Sequence, residues 1–211
     1  MMKKALVALA FSAVAVSAQA GALLIEGFND VPALGSTGWV LNNASTPVGS
    51  VPSWYQGDQQ IFQALTGAPE SYAAANWMNA GMGGTLSNWL ITPEFSTAEG
   101  AIVSFWLRAD AFPGTSDQIA FGFSNGSSAL ASFVMASPVT VGTNGWQRYE
   151  AMIGKSQGSA RFALQYTGSS DLSNYVGIDN LIVSQVPEPT TMMILAAGVM
   201  GLTMSRRRKR G

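Results

Sequence analysis

The sequence predicts an all-β protein in which two antiparallel sheets pack face to face, and three observations predict this fold class. Short runs alternate apolar and polar residues with the period of two that a half-buried strand requires. Clusters of Gly, Asn, Ser and Pro separate these runs at spacings typical of antiparallel strands joined by turns. Between residues 21 and 185, no window has sustained helical spacing.

The clearest predicted strand is AIVSFWLRA, residues 101–109, where alternation places Val103, Phe105 and Leu107 on one face. The same alternation recurs in QIAFGFS, WQRYEAMI and RFALQYTG, and each run therefore predicts a strand with one buried face. Residues 29–84 are more irregular, so we expect long loops with short strands there. We expect Trp89 and Trp106 to fill the core.

The N-terminus has the pattern of a secretory signal peptide. Lys3 and Lys4 precede an apolar stretch from Ala5 to Val16, and the small-residue exit Ala18-Gln19-Ala20 follows it. We expect signal peptidase to cut after Ala20, so that residues 1–20 are a signal helix and the body works outside the cytoplasm.

The C-terminus, residues 186–211, combines a Pro-Glu-Pro triplet, an apolar run and a basic cluster. The apolar run from Met192 to Met204 would span about 20 Å as a helix, against a hydrocarbon core about 30 Å thick. The five cations at 206–210 hold such a helix end on the cytoplasmic side. We therefore expect a short transmembrane helix that anchors the chain at least transiently.

This C-terminus resembles the PEP-CTERM sorting signal, because Pro187-Glu188-Pro189, a predicted apolar helix and a basic tail follow one another in that order. The resemblance implies a Gram-negative bacterium that makes exopolysaccharide, with transient anchoring in the inner membrane. It also implies cutting near the triplet by an exosortase, a membrane-embedded cysteine transpeptidase-like enzyme. The destination would be the envelope, the cell surface or the extracellular matrix.

Composition excludes several classes of function for the body of the chain. Between residues 21 and 189 four basic side chains stand against all 12 acidic ones, which gives a formal net charge of −8 where the whole chain has −1. An acidic domain is repelled by nucleic acid and by anionic lipid, so no nucleic-acid partner is expected. The absence of His and Cys excludes imidazole-activated nucleophiles, zinc sites with nitrogen or sulfur ligands, and disulfides.

Three stretches in fixed order carry a second resemblance: LLIEGFND at 23–30, NWLITPEFST at 88–97 and YVGIDNLIVSQVPEP at 175–189. Residues 21–185 resemble the choice-of-anchor J domain, which is related to cleaved-adhesin domains of bacterial surface proteins and more distantly to MAM-type jelly rolls. The resemblance implies one jelly-roll sandwich of the concanavalin kind, with the first and last strands side by side. It points to an adhesion or matrix module more than to an enzyme.

The resemblance also implies a structural calcium ion between the terminal strands, with Glu26, Asp30 and Asp179 as ligands. Calcium takes six to eight oxygens, so backbone carbonyls would have to complete the shell. The alternative is that Asp179 caps a turn or accepts hydrogen bonds from backbone amides, and that Glu26 is solvated.

Four aromatic residues of the irregular region are candidate glycan contacts, namely Trp39, Trp54, Tyr55 and Trp77. An exposed indole face suits a pyranose ring, and exopolysaccharide would be the ligand. The alternative is that these rings anchor Gly-rich loops to the core.

No catalytic site is predicted. Glycosidases of jelly-roll type place two acids on one strand, and no Glu-x-Asp or Asp-x-Glu pair lies on a predicted strand. We interpret Glu94, Glu99, Asp110 and Asp117 as solvated acids at turns. The sequence thus favours an exported, non-enzymatic adhesion or biofilm protein whose partners are exopolysaccharide or other surface proteins. A carbohydrate-binding module is the alternative, and a glycoside-active enzyme is the third hypothesis.

Overall fold

The computed structural model of the protein describes residues 21–187. The predicted signal helix, the predicted transmembrane helix, and Glu188 and Pro189 of the sorting triplet lie outside the described residues. Within residues 21–187, no helix has the length and apolar character needed to cross a bilayer. Residues 21–186 lie in one compact unit with its own hydrophobic core, as expected of a part that folds by itself.

The described residues form fourteen strands and four short 3-10 helices. The strands are β1 (Ala22–Glu26), β2 (Val40–Asn43), β3 (Thr46–Val48), β4 (Tyr55–Gln56), β5 (Ala73–Asn76), β6 (Ala80–Ile91), β7 (Phe95–Ser96), β8 (Ala101–Ala109), β9 (Gln118–Ser124), β10 (Val134–Met135), β11 (Val139–Thr140), β12 (Gln147–Ile153), β13 (Ser159–Ser169) and β14 (Tyr175–Gln185). The 3-10 helices are Val31–Thr37, Trp77–Asn79, Leu130–Ser132 and Ser170–Leu172.

The first sheet has six strands, with β12, β8, β14, β5 and β4 in spatial order and β1 also paired to β14. Along one edge β14 pairs with β8, and along the other it pairs first with β5 and then with β1. The first and last strands therefore lie side by side, as predicted.

The second sheet has eight strands, with β10, β9, β13, β6 and β2 in spatial order. Three short strands extend it: β11 pairs with β9, β3 with β6 and β7 with β13. All pairings in both sheets are antiparallel. The predicted fold class, a two-sheet antiparallel sandwich of jelly-roll type, is confirmed.

The core lies between the sheets and follows the predicted period of two. Val103, Phe105 and Leu107 of β8 are fully buried, and the residues between them are half-buried on the outer face. The Phe105 ring meets the ring of Phe162 on β13 with centroids 5.3 Å apart. One expectation is wrong: Trp106 lies half-buried on the outer face, because alternation along β8 excludes it from the core.

A bulge in β14 redirects one acidic residue of the first sheet. Ile178 and Leu181 both belong to the core, although they are three residues apart, and the register with β8 shifts between Asp179 and Ile182. Asn180 absorbs the irregularity with a left-handed φ of 49°. The Asp179 side chain consequently lies on the outer face of the first sheet, at the position where the strand paired with β14 changes from β5 to β1.

Candidate functional site

The Asp179 carboxylate joins the bulge of β14 to the loop of residues 57–72. Its Oδ2 accepts hydrogen bonds from the amide of Leu65 at 2.8 Å and from the amide of Thr66 at 3.1 Å. Its Oδ1 accepts from the amide of Asn180 at 2.6 Å. Burial raises the pKa of Asp179 above its usual value, and these three amides oppose that rise. The carboxylate therefore acts as an anchor that holds the loop against the sheet.

An aromatic cluster packs the same loop onto the outer face of the first sheet. Phe62 and Tyr72 stack with centroids 4.9 Å apart, and the Tyr72 hydroxyl lies 3.0 Å from that of Tyr175. The Arg108 guanidinium lies 4.5 Å from the Phe62 ring centroid, which is a cation–π distance. Gly177 makes this packing possible, because a Cβ there would lie 2.8 Å from Tyr72. The loop is thus packed against the first sheet through a second, smaller hydrophobic cluster.

The other two predicted calcium ligands are bonded to their own local backbone. Glu26 Oε1 accepts from the amide of Phe28 at 2.7 Å. Asp30 Oδ1 accepts from the amide of Ala33 at 3.2 Å and caps the first 3-10 helix. No group of three or more acidic side chains within residues 21–187 is placed to share a metal ion.

The hydrogen bonds of Glu26, Asp30 and Asp179 do not fit a calcium ion held by these three carboxylates. A calcium shell needs oxygen atoms that converge on one point, whereas the Asp179 oxygens face N–H donors. For Asp179 the geometry is that of the alternative interpretation, in which the carboxylate bonds backbone amides. A structural calcium ion stays a prediction from the resemblance, and the hydrogen bonds that Glu26, Asp30 and Asp179 already accept argue against it.

Three of the four predicted glycan contacts line one surface depression of about 500 Å³. Trp39, Trp54 and Tyr55 form part of its wall, together with Val31, Pro32, Gly35, Val40, Leu41 and Gln56. The first 3-10 helix, β2 and β4 supply most of these residues. The fourth, Trp77, is outside the lining and opens the second 3-10 helix.

The two tryptophans of the depression are anchors of the core and do not present open faces. Trp39 is 3% exposed and packs edge-on to Phe28, and Trp54 is 4% exposed. The Trp54 indole N–H donates to the backbone oxygen of Asn88 at 3.3 Å. As stacking platforms for a sugar, these two predictions are wrong, because a pyranose needs an exposed ring face.

Tyr55 and Trp77 keep more of their rings accessible. Tyr55 is half-buried, and its hydroxyl accepts from Asn76 Nδ2 at 2.7 Å. Burial raises the pKa of Tyr55 above its usual value, so the phenol is neutral and a hydrogen-bonding group. Trp77 is 39% exposed. Their roles as glycan contacts stay predictions.

Sequence reasoning missed one buried acid. The expectation that Asp117 is a solvated acid at a turn is wrong, because Asp117 is buried and accepts hydrogen bonds from the Tyr166 hydroxyl and from the amide of Asn174. Burial raises the pKa of Asp117, and both hydrogen bonds oppose that rise. No local signal marks this residue, since its partners lie 49 and 57 positions away in the chain.

Comparison with known families identifies the C-terminal signal. A family model described as the PEP-CTERM protein-sorting motif matches residues 185–209. The predicted sorting signal is thereby confirmed. The motif implies export and sorting to the cell surface, with processing by an exosortase.

Comparison with solved structures identifies the fold of the body. The K1 cleaved adhesin domain of Lys-gingipain from Porphyromonas gingivalis W83 is 19% identical with a TM-score of 0.63, over 79% of this chain and 99% of that chain. The K3 domain of the same protein gives 18% identity and a TM-score of 0.56 over 79% and 99%. The K2 domain gives 17% and 0.55 over 77% and 99%.

These likenesses confirm the predicted adhesin-like jelly roll as a fold. The narrower assignment to choice-of-anchor J domains stays a prediction. A search of curated proteins finds no match to this chain.

Proposed function

We propose that this chain is an adhesion or matrix protein of the bacterial surface, in which the β-sandwich is the cargo that the sorting motif delivers. One observation carries the proposal: β14 ends at Gln185, and the sorting motif begins at the same residue. A sandwich joined to its sorting signal without a linker is delivered as one unit. Signal peptidase and an exosortase would act on it during export, and exopolysaccharide or other surface proteins would be its partners.

A non-catalytic role is supported by what the buried acids do. Asp179 fixes the loop of residues 57–72 through backbone amides, and Asp117 is held by Tyr166 and Asn174. Both carboxylates hold the fold together, whereas a catalytic acid needs access to a substrate. The acidic charge of the body keeps it soluble and disfavours association with polyanions.

The proposed delivery is tested with the full chain expressed in a host that has an exosortase. A variant with Pro187, Glu188 and Pro189 all changed to Ala should fail to reach the surface of intact cells, as measured by antibody labelling. The matched control changes Thr190 and Thr191 to Ala and should reach the surface like the wild type. Equal surface labelling of the triplet variant and the wild type would overturn the proposal.

The adhesive role needs a separate experiment. Cells that lack the chain should attach less to one another and build less matrix, and re-expression of the wild type should restore both. Unchanged attachment in the deleted strain would refute the adhesive role while leaving surface delivery intact.

A carbohydrate-binding role is the second candidate, and the depression beside Tyr55 favours it. Purified residues 21–186 should then retain the organism's exopolysaccharide in a pull-down, and Tyr55→Ala should weaken retention. Val134→Ala serves as the control, because Val134 is exposed on β10 and lies outside the depression. Equal retention by both variants would place the contact elsewhere, and release of sugar fragments would favour the third hypothesis, a glycoside-active enzyme.

A further inference from the structure

One end of the sandwich carries large apolar side chains that point into solvent. Four segments form this end: residues 44–49, 77–84, 110–117 and 170–174, here called the apical segments. Their exposed apolar side chains are Val48 at 62%, Trp77 at 39%, Met82 at 88%, Phe112 at 62% and Leu172 at 59%. Apolar side chains clustered in this way at one end of a domain mark a contact surface.

Hydrogen bonds and one strand pairing hold the four apical segments beside one another. The segment at 170–174 is the hub: Gly83 N donates to Asp171 Oδ1 at 2.8 Å and Ser116 N donates to the Leu172 oxygen at 2.7 Å. The amide of Trp77 donates to the oxygen of Asn174 at 2.9 Å. Val48 on β3 pairs with Ala80 on β6, which brings in the fourth segment.

The apical segments lie at the end of the sandwich remote from both ends of the body. Gln185 N donates to the oxygen of Gly21 at 3.0 Å, so the chain enters and leaves the sandwich at the same place. The 11-residue strand β14 runs from there to Tyr175, which follows the apical segment at 170–174 directly. At about 3.3 Å per residue, that strand separates the two ends by about 35 Å.

The charge of the apical segments indicates an uncharged partner. They contain no Lys or Arg, and their acids are Asp110, Asp117 and Asp171. Each of these carboxylates accepts a hydrogen bond within the domain: Asp110 from Asn174 Nδ2, Asp117 from Tyr166 and Asp171 from Gly83. Because residues 21–189 carry a formal net charge of −8, an anionic partner would be repelled.

The shape of the surface indicates a deformable partner. Met82 on β6, Phe112 in the loop after β8 and Leu172 at the end of the fourth 3-10 helix are each exposed on a different segment. A folded protein partner would need a matching pocket for each of them, whereas the boundary between lipid headgroups and acyl chains accepts any arrangement. Trp77 suits the same boundary, where indole rings are enriched.

We propose that the apical segments bind a lipid bilayer with zwitterionic headgroups by inserting Met82, Phe112 and Leu172 below the headgroup level. The inference deepens the proposed surface role and rests on it for orientation. If the chain is held at the surface through its C-terminal side, the apical segments face away from the producing cell. The adhesive contact would then be with the bilayer of another cell.

The test measures binding of purified residues 21–186 to phosphatidylcholine vesicles by flotation, at low and at high salt. Binding should be insensitive to salt and should fall when phosphatidylserine is mixed in, since attraction is apolar and the body is acidic. Changing Met82 and Phe112 together to Ser should reduce the partition coefficient by about tenfold for each side chain. The control Val134→Ser removes a side chain that is 82% exposed on β10, outside the apical segments, and should bind like the wild type.

Equal melting temperatures of the variants and the wild type would show that the substitutions leave the fold intact. Absence of vesicle binding, binding only to anionic vesicles, or equal binding by the Met82/Phe112 variant would overturn the proposal. Concentration-dependent dimerisation that this variant abolishes would assign the surface to a second copy of the chain and would also overturn it. Surface delivery is measured separately by the Pro-Glu-Pro variant, so failure of either idea is distinguishable from failure of the other.

Discussion

Replacing Asp179 with Ala removes the anchor between the β14 bulge and the loop of residues 57–72. The change deletes three charge-assisted hydrogen bonds, from the amides of Leu65, Thr66 and Asn180. A hydrogen bond to a charged group contributes about 1.5 to 3 kcal/mol, so the three together set an upper limit of about 9 kcal/mol. Two effects reduce this value: the exposed Thr66 can bond water, and the desolvation that raises the pKa of Asp179 is relieved.

We therefore expect Asp179→Ala to lower the free energy of unfolding by about 3 kcal/mol, and the melting temperature by about 6 to 12 °C for a domain of this size. Asp179→Asn keeps one acceptor but turns an NH₂ group toward an amide, and about 1 to 2 kcal/mol should be lost. Urea unfolding of residues 21–186 measures both changes. The matched control is Glu70→Ala, which removes an exposed carboxylate from the same loop and should change stability by less than about 0.5 kcal/mol.

Amide hydrogen exchange locates the effect. In the Asp179→Ala variant, the amides of Leu65 and Thr66 should exchange faster than in the wild type, because their acceptor is gone. An Asp179→Ala variant as stable as Glu70→Ala, with unchanged exchange at these two amides, would refute the anchoring role.

Three further predictions concern the same fold. Burial raises the pKa of Asp117, so the stability it contributes is present below its unfolded pKa and is lost as the pH rises through the raised value. Relative to Asp117→Asn, which can still accept from Tyr166, the wild type should therefore lose free energy of unfolding with rising pH, and parallel pH profiles would refute this. Gly177→Ala should destabilise the domain by about 1 to 3 kcal/mol, because its Cβ would lie 2.8 Å from Tyr72, whereas Gly154→Ala meets nothing within 4 Å and should be neutral in thermal melts. The melting temperature of residues 21–186 should be equal in chelator and in millimolar calcium, because backbone amides already donate hydrogen bonds to the carboxylates predicted to bind calcium. A higher melting temperature in calcium would support the predicted calcium ion.

The strands of the sandwich could be predicted because their cause is local. Along β8 each buried residue is followed by a less buried one, and that alternation is visible in the letters of AIVSFWLRA. The adjacency of β1 and β14 came from a resemblance, since no local pattern states which strands become neighbours. Trp106 differs from the expectation because the same alternation places it on the outer face, although tryptophan in general prefers burial.

The side-chain contacts of the candidate site could not be predicted because their causes are distant in the chain. Asp179 meets Leu65 and Thr66 across 114 and 113 positions, and no composition or spacing links them. Trp39 and Trp54 lie among Gly, Pro and Ser, which suggests exposure, yet the first 3-10 helix and β4 place both rings in the core. Tertiary packing decided these positions, and only the three-dimensional structure displays it.

The intact mass of the protein recovered from the cell surface tests the central claim most directly. If the sandwich is a cargo released from a PEP-CTERM signal, the mature chain should begin at Gly21 and end near Pro187, Glu188 and Pro189, without the basic cluster at 206–210. A surface protein that still carries residues 206–210, or a protein found only inside the cell, would contradict the account.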